Sequence, residues 1–398
     1  MRGAASSTAS AVSHAPHAPG AVWAARAYYF LFYGALGVYY PYINLYFKQA
    51  GLSGQAIGQL AALTPVAVLL ASPAWGALGD RFRIHRFLLP FVTWAAIVPT
   101  IALAFTRQFL GIAALVGLAA LFSSSIIPLI DSAVLDLVEG TPRSYGSLRV
   151  WGTPGFMAFT LAMGYVLKYT GLVGLFYIYA ALFFLAGLAA LWLPARRHKI
   201  EAVTFGRGLR QLLRQRTLAL FLLSVFLVGS SFTTYTTFFA LYLQDRGASL
   251  MMISLANVFS TIAEFPVLFF SAALLGRLGN RASLLIGYAV YAFRWAVLAL
   301  VRLPVVALLT QGLHGLSWGV VMVGGVAYVK AHSPRGLEAT GQSLLSAASG
   351  GVGAVLGALG SGWIYDHFGS GQVFLAASLC CVAGLLLFLP AAAGPQKP

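Results

Sequence analysis

Apolar residues run along the chain in blocks of roughly twenty, broken at charged or Gly/Pro-rich points. A helix needs about 20 mainly apolar residues to cross a hydrocarbon core about 30 Å thick. Cutting at the breaks predicts twelve spans, at approximately 27–47, 54–78, 87–106, 110–137, 147–167, 171–193, 218–243, 249–275, 282–301, 304–329, 340–364 and 372–390. The pattern therefore predicts an all-α membrane protein with twelve transmembrane helices.

Where the second and third spans join, Gly76-Ala-Leu-Gly-Asp80-Arg81 recurs 200 residues later as Gly276-Arg-Leu-Gly-Asn280-Arg281. Both copies fall in the corresponding turn of a six-span half, the pattern of parallel repeats related by an axis along the membrane normal. Two six-helix bundles related by pseudo-twofold symmetry are expected, over 21–193 and 218–390. A basic linker at 194–217 joins them, and tails occupy 1–20 and 391–398. The first tail is rich in Ala, Ser, Pro and His and lacks the apolar core of a cleavable signal peptide, so a disordered cytosolic tail is expected.

Composition removes whole classes of alternative. With 60% hydrophobic and 9% charged residues and mean hydropathy +0.84, the chain cannot solvate the surface of a soluble domain, which carries about 25% charged residues. The net charge of +16 raises the question of nucleic acid, but its distribution answers it. The one basic cluster, from Arg196 to Arg216, lies between two apolar blocks and has no nucleic-acid motif around it. With the amino terminus inside, 18 of the 25 Lys and Arg fall in tails and loops on the cytosolic side, against Lys48, Arg107, Lys168, Arg246 and Arg302 outside. The positive-inside rule thus favours both termini in the cytosol. Cys380 and Cys381 are neighbours on a helix and point about 100° apart, so they form no ordinary disulfide. No metal-ligand spacing and no cofactor motif is present, and the Gly350–Gly360 run lacks the Lys-[Ser/Thr] end of a phosphate loop. Its small residues every three or four positions suit close helix contact or bending.

Six charged or titratable side chains fall within spans: Asp131 and Asp136 on span 4, Arg149 on span 5, Glu264 on span 8, Arg294 on span 9 and His314 on span 10. A charge at mid-bilayer costs at least about 2.5 kcal/mol, so such residues usually face a bundle interior or an aqueous cavity. Asp131 and Asp136 lie about 140° apart around the helix, so at most one can point squarely at Arg149. Measured from the turn between them, Asp136 mirrors Arg149 in depth and Asp131 lies about a turn and a half deeper. Span 8 carries Asn257, Thr261 and Glu264 in one stripe, and span 10 carries Gln311, His314 and Trp318 in another, which implies a cavity face. Tyr33 and Asn44 on span 1 are further candidates. The hydroxyl-rich stretch Ser230–Thr237 on span 7 is read as bonding its own backbone.

The turn between spans 2 and 3 resembles the G-x-x-x-D-[RK]-x-G-x-[RK]-[RK] pattern of the major facilitator superfamily. Gly76, Asp80, Arg81 and Arg86 fit it, whereas Arg83 and His85 depart from it. In that family the loop helps to latch the two halves on the cytosolic side, which makes Gly76, Asp80, Arg81 and, in the second copy, Gly276 and Arg281 candidate gating residues. A narrower resemblance lies in Tyr145-Gly-Ser-Leu-Arg149-Val-Trp151-Gly152-Thr-Pro-Gly-Phe156, which is similar to the YGxxRxWGSxGF stretch of the nucleoside, phenylpropionate and oligosaccharide proton symporters. In the lactose permease branch an acid stands 18 residues before this arginine, as Asp131 does here, and an aromatic stacks on the solute ring seven residues after it, where this chain has Phe156. The 20-residue interval from Arg294 to His314 matches the arginine and histidine of the same permeases, and Glu264 stands about one helical turn from their helix-8 acid. Their glutamate three residues after the histidine is Ser317 here, and serine carries no proton at physiological pH.

The resemblance implies a transporter rather than an enzyme, moving a sugar, nucleoside or aromatic carboxylate by alternating access as a proton symporter. Asp131, Arg149, Phe156, Arg294, Tyr33, Asn44, Asn257, Gln311 and Trp318 would contact solute, with Glu264 and His314 coupling protons. An exporter or uniporter of the same fold, or a membrane scaffold that transports nothing, are the alternatives. A monomer in the inner membrane of a bacterium is expected, with the bilayer, a small solute and protons as its partners and no nucleic acid. A cysteine placed at Glu201 should resist an impermeant thiol reagent in intact cells and react in inverted vesicles. Labelling in intact cells would contradict the orientation.

Overall fold

A computed structural model describes residues 19–82, 84–194 and 207–392. Residues 1–18, 195–206 and 393–398, which carry most of the expected tails and part of the linker, lie outside the described residues, as does the side chain of Asp80. All the described elements are helical. Among the described residues, ten helices are long and apolar enough to cross a membrane. Gly174–Ala190 is a shorter apolar helix in the position of span 6. Pro19–Tyr39 with Ile43–Gln49 supplies span 1, whose apolar content is diluted by Arg26 and several tyrosines.

Several expected spans are not single rods. Span 1 starts well before residue 27 and breaks at Tyr40–Tyr42. Span 4 is Phe109–Ser123 followed by Ile126–Val138, and span 5 is Tyr145–Arg149 followed by Gly152–Thr170. Spans 10 and 11 contain wide turns of π type at Gly315–Gly319 and Ala347–Val352. Span 8 ends at Phe269, and Ser271–Leu300 holds two helices that meet at a kink, the approach to the repeat turn and span 9. The reversal occurs at Gly279, whose φ of 75° suits a residue without Cβ. In the first copy of the repeat the helix runs on through Gly79 to Phe82 instead, so the two turns share sequence but not backbone.

The packing obeys a twofold rule. Spans 1 and 5 pair as do 7 and 11, 1 and 6 as do 7 and 12, 3 and 6 as do 9 and 12, and 2 and 4 as do 8 and 10. Adding six to each span number maps one half onto the other. Between halves, span 2 packs on span 11 and span 8 on span 5, which the same operation interchanges.

The four hydrogen bonds that cross between halves among the described residues all lie at the end where span 1 meets span 2. The Tyr42 hydroxyl meets Ser254 Oγ at 2.5 Å, the Asn44 amide donates to the Thr237 carbonyl at 2.8 Å, and the Asp366 carboxylate accepts from the backbone N–H of Gly54 at 2.6 Å and of Gln55 at 2.8 Å. Asn44 therefore ties the halves together rather than joining the interior polar residues where a solute contact was expected. At Gly58 the backbone of span 2 lies against the Ala358 carbonyl of span 11, with no room for a Cβ, so the small residues of span 11 do serve close contact.

A helix start leaves unsatisfied N–H groups, and span 2 accounts for all of its own. Ile57 N–H and Ala56 N–H use the carbonyl and side chain of Ser53, while Gly54 and Gln55 rely on Asp366 from the other half. Capping interactions are worth about 0.5–2 kcal/mol, so Asp366→Ala should shift the balance toward opening of this end by about 2- to 30-fold. Labelling of a cysteine placed at Gln55 should rise accordingly, and an unchanged rate would count against the latch.

Candidate functional site

The interior polar residues gather into two clusters, one in each half. In the first, the Asp131 carboxylate on span 4 accepts from the Tyr29 hydroxyl at 2.7 Å, and Arg149 Nε lies 4.0 Å from the same oxygen, Asp131 Oδ1. Arg149 Nη2 donates to the Tyr33 hydroxyl. Its guanidinium lies 4.1 Å from the Tyr33 ring centroid and 5.3 Å from that of Tyr29, a cation–π arrangement. Arg149 and Asp131 both keep about 30% of their side-chain surface open, 31% and 27%. A solute could reach them.

The structure thus places Asp131, and not Asp136, beside Arg149. The break at Val150–Trp151 separates the Arg149 turn from the rest of span 5, so depth measured along straight helices does not apply. The geometry is not the two-pronged fork of an arginine on a carboxylate, because one nitrogen of Arg149 is taken by Tyr33. Tyr29 is the residue that the sequence reading did not select. It lies four before Tyr33, on the same face, and that spacing could have found it.

The second cluster is drier. Arg294 is fully buried. Its Nη1 donates to Ser317 Oγ at 2.6 Å and contacts His314 Nδ1 at 3.1 Å, and its Nη2 donates to Gln311 Oε1 at 2.9 Å. The Tyr235 hydroxyl donates to the same Gln311 oxygen at 2.9 Å. On the far side of the imidazole, His314 Nε2 lies 3.1 Å from Glu264 Oε1. The Trp318 ring is nearly parallel to His314, at 7° and 6.2 Å between centroids.

Hydrogen-bond chemistry assigns the protons along this line. A guanidinium has donors only, so His314 Nδ1 must accept, and the neutral ring carries its proton on Nε2, facing Glu264. A second proton on the imidazole would turn Nδ1 into a donor against Arg294. The backbone makes the line possible. At Gly315, within the wide turn of span 10, the chain lies against the Ala263 carbonyl of span 8 with no space for a Cβ. Wide turns of this kind recur at functional sites.

Other expected contacts fall elsewhere. Gln311 is fully buried behind Arg294. Asn257 Nδ2 donates to the Ile253 carbonyl within its own helix at 2.9 Å, and Phe156 is half-buried on span 5, in neither hydrogen-bonded cluster. Gly76 is half-buried, Arg81 and Gly276 are exposed, and Arg281 is half-buried. Ser317, read from sequence as the loss of an acid, is an acceptor for Arg294. Tyr235, read as one of several helix-bonding hydroxyls, belongs to the cluster as well.

Two six-span halves in twofold relation, with charge buried between the spans, define a membrane transporter. The chain belongs to the MFS_1 like family, whose model matches residues 22–376. It is similar to the maltose permease of Geobacillus stearothermophilus, 28% identical over 363 residues that cover 91% of this chain and 92% of the relative. It is also similar to the "Probable 3-phenylpropionic acid transporter" of Escherichia coli (strain K12), 24% identical over 90% of this chain and 95% of that one. Among solved structures, the crystal structure of the nucleoside transporter NupG superposes with a TM-score of 0.82 over 94% of this chain and 99% of that chain, at 17% identity, a likeness of fold. The protein is a multi-pass membrane transporter of a small-molecule solute and not an enzyme.

Hydrogen bonds to charged groups contribute about 1.5–3 kcal/mol, so Asp131→Asn should lower transport at least about tenfold, and Asp136→Asn should do much less. Arg149→Lys should also lose most activity, because an ammonium cannot donate to Tyr33 while stacking on it as a planar guanidinium does. Uptake assays of the three variants at matched expression decide this, and an inactive Asp136→Asn beside an active Asp131→Asn would reverse the assignment.

Proposed function

We propose that the protein is a proton symporter for a small polar or amphipathic organic solute, of the sugar, nucleoside or aromatic carboxylate class. The observation that carries this reading is the unbroken line Arg294–His314–Glu264. It ends in Glu264, the one carboxylate of the second-half spans that does not stand at or near a span end, as Asp245, Glu338 and Asp366 do. Arg294 holds the imidazole neutral on one side, so the group free to gain and lose a proton is Glu264, with His314 presenting an N–H toward it. Neutral Glu264 can donate, and ionised Glu264 accepts from His314 Nε2, so each protonation state imposes its own hydrogen-bond pattern on spans 8 and 10.

Solute would be held between the clusters. Arg149 offers donors and a cation, Asp131 and Tyr29 offer acceptors for hydroxyl groups, and Trp318 and Phe156 offer ring faces. The proton would thus be read by the second half and the solute by both, so that solute couples them by bringing the halves together. The names of the maltose and 3-phenylpropionic acid relatives support a solute with a ring and either hydroxyl groups or a carboxylate. The basic-residue distribution supports both termini in the cytosol of a bacterial inner membrane, with a monomer as the working unit. In that orientation the Asp366 latch closes the outer end, and the conformation is the inward-open one. The 2–3 and 8–9 turns, with Gly76, Asp80, Arg81, Gly276 and Arg281, would meet when the inner end closes.

A uniporter is the second reading, favoured by Ser317 standing where an acid would carry the proton. Glu264→Gln separates the two, because it keeps shape and hydrogen bonding but cannot titrate. It should abolish uphill accumulation while leaving exchange of solute down its own gradient within about twofold of the unmodified protein. His314→Gln should retain more accumulation than Glu264→Gln. Accumulation that survives in Glu264→Gln, or indifference of the unmodified protein to a protonophore, would overturn the proposal.

A further inference from the structure

A cavity lies well away from the two clusters, at the opposite end of the second half from the Asp366 latch. Its volume is about 1100 Å³, and it sits between the start of span 7, the turn into span 9 and the end of span 10. Arg216, Arg281, Arg335, His332 and Ser333 line it, and among the described residues no carboxylate does. Three guanidinium groups around one space repel each other, and the nearby Glu338 is spent on the turn, accepting from the Gly336 N–H at 2.8 Å.

Two observations indicate that these donors are aimed at something. Arg281 Nε and Nη2 are buried and have no hydrogen-bond partner among the described residues, and Ser333 Oγ shares that condition. Leaving buried donors unpaired is costly, and more so for a charged group. His332 adds a directional group. Its Nδ1 must donate to the Tyr328 carbonyl, 2.8 Å away, because that oxygen only accepts, and the ring is stacked on Tyr328 at 4.0 Å. The ring is thereby fixed in place at the cavity wall.

Comparison of the two repeats sharpens the point. Arg81, the counterpart of Arg281, is exposed, and in the first copy the helix runs on through Gly79 to Phe82. The second copy, broken at Gly279, draws its arginine inward. A residue that served only to latch the halves would not need this enclosure.

We propose that this cavity is an anion site for a phosphate group, held by the Arg281 and Arg335 guanidiniums with His332 and Ser333. A phosphate has the tetrahedral set of acceptor oxygens that several converging N–H and O–H donors require. The group could be borne by an anionic lipid, since basic pockets between spans bind lipid headgroups on the cytoplasmic side, or by a free phosphate ion.

Thermal unfolding of the purified full chain tests the site, because a ligand that binds only the folded state stabilises it. Potassium phosphate should raise the midpoint above potassium chloride of equal ionic strength, and so should nanodiscs containing phosphatidylglycerol compared with phosphatidylcholine alone. A response to phosphatidylglycerol alone identifies a lipid headgroup, and a response to phosphate alone identifies a soluble anion. Arg281→Gln and Arg335→Gln should each weaken the apparent affinity at least tenfold. Arg277→Gln, an exposed arginine of the same turn outside the cavity, should leave it unchanged. Arg335 is exposed, so Arg335→Gln carries the test if Arg281→Gln fails to fold. No response to either probe, or a response unaltered in Arg335→Gln, overturns the proposal.

Discussion

A permanently charged guanidinium with no access to solvent governs this molecule. Arg294 cannot shed its proton, and its burial among membrane spans obliges the surrounding helices to supply acceptors. Gln311, Ser317 and the imidazole of His314 do so from a single span. Span 10 departs from regular helical geometry over Gln311–Leu313 and again over Gly315–Gly319, and this brings Ser317, which a straight helix would hold about 120° around the axis from Gln311, to the same planar group. Span 8 then follows, because the glycine in the wide turn brings its backbone close enough for Glu264 to meet the imidazole.

The two halves share a frame but not a chemistry. Span pairing repeats faithfully under the twofold operation, yet the arginines stand on spans 5 and 9, which that operation does not exchange. The first cluster is open to solvent and rests on tyrosine rings. In the second, Arg294 and its amide and hydroxyl acceptors are buried, while Glu264 keeps 23% of its side-chain surface open. A symmetric scaffold can rock between two equivalent arrangements, while asymmetric contents allow the second half alone to respond to a proton.

Much of this was legible from the residues. Span number, the repeat at residues 76 and 276, and the set of buried charges follow from the cost of polar groups in hydrocarbon, which acts residue by residue. The breaks in spans 4, 5, 10 and 11 do not follow from it, since they are set by what each helix packs against. The choice between Asp131 and Asp136 failed on straight-helix geometry for that reason, and came out correctly only from resemblance. The bond of Asn44 to Thr237 was not legible, because a polar residue on an inward face looks the same whether it meets a cavity or the other half. Ser317 and Tyr235 were passed over because a hydroxyl reveals nothing of its partner until a buried cation is beside it.

The cap of span 2 is borrowed from the opposite half, so parting the halves at that end strips two backbone N–H groups and one carboxylate of their mates at once. Hydrocarbon can replace none of them. Water must enter as the contact breaks, and opening and wetting are therefore a single event. The gate cannot yawn into a dry gap, and its energetics include the hydration of a helix terminus as much as the separation of two surfaces.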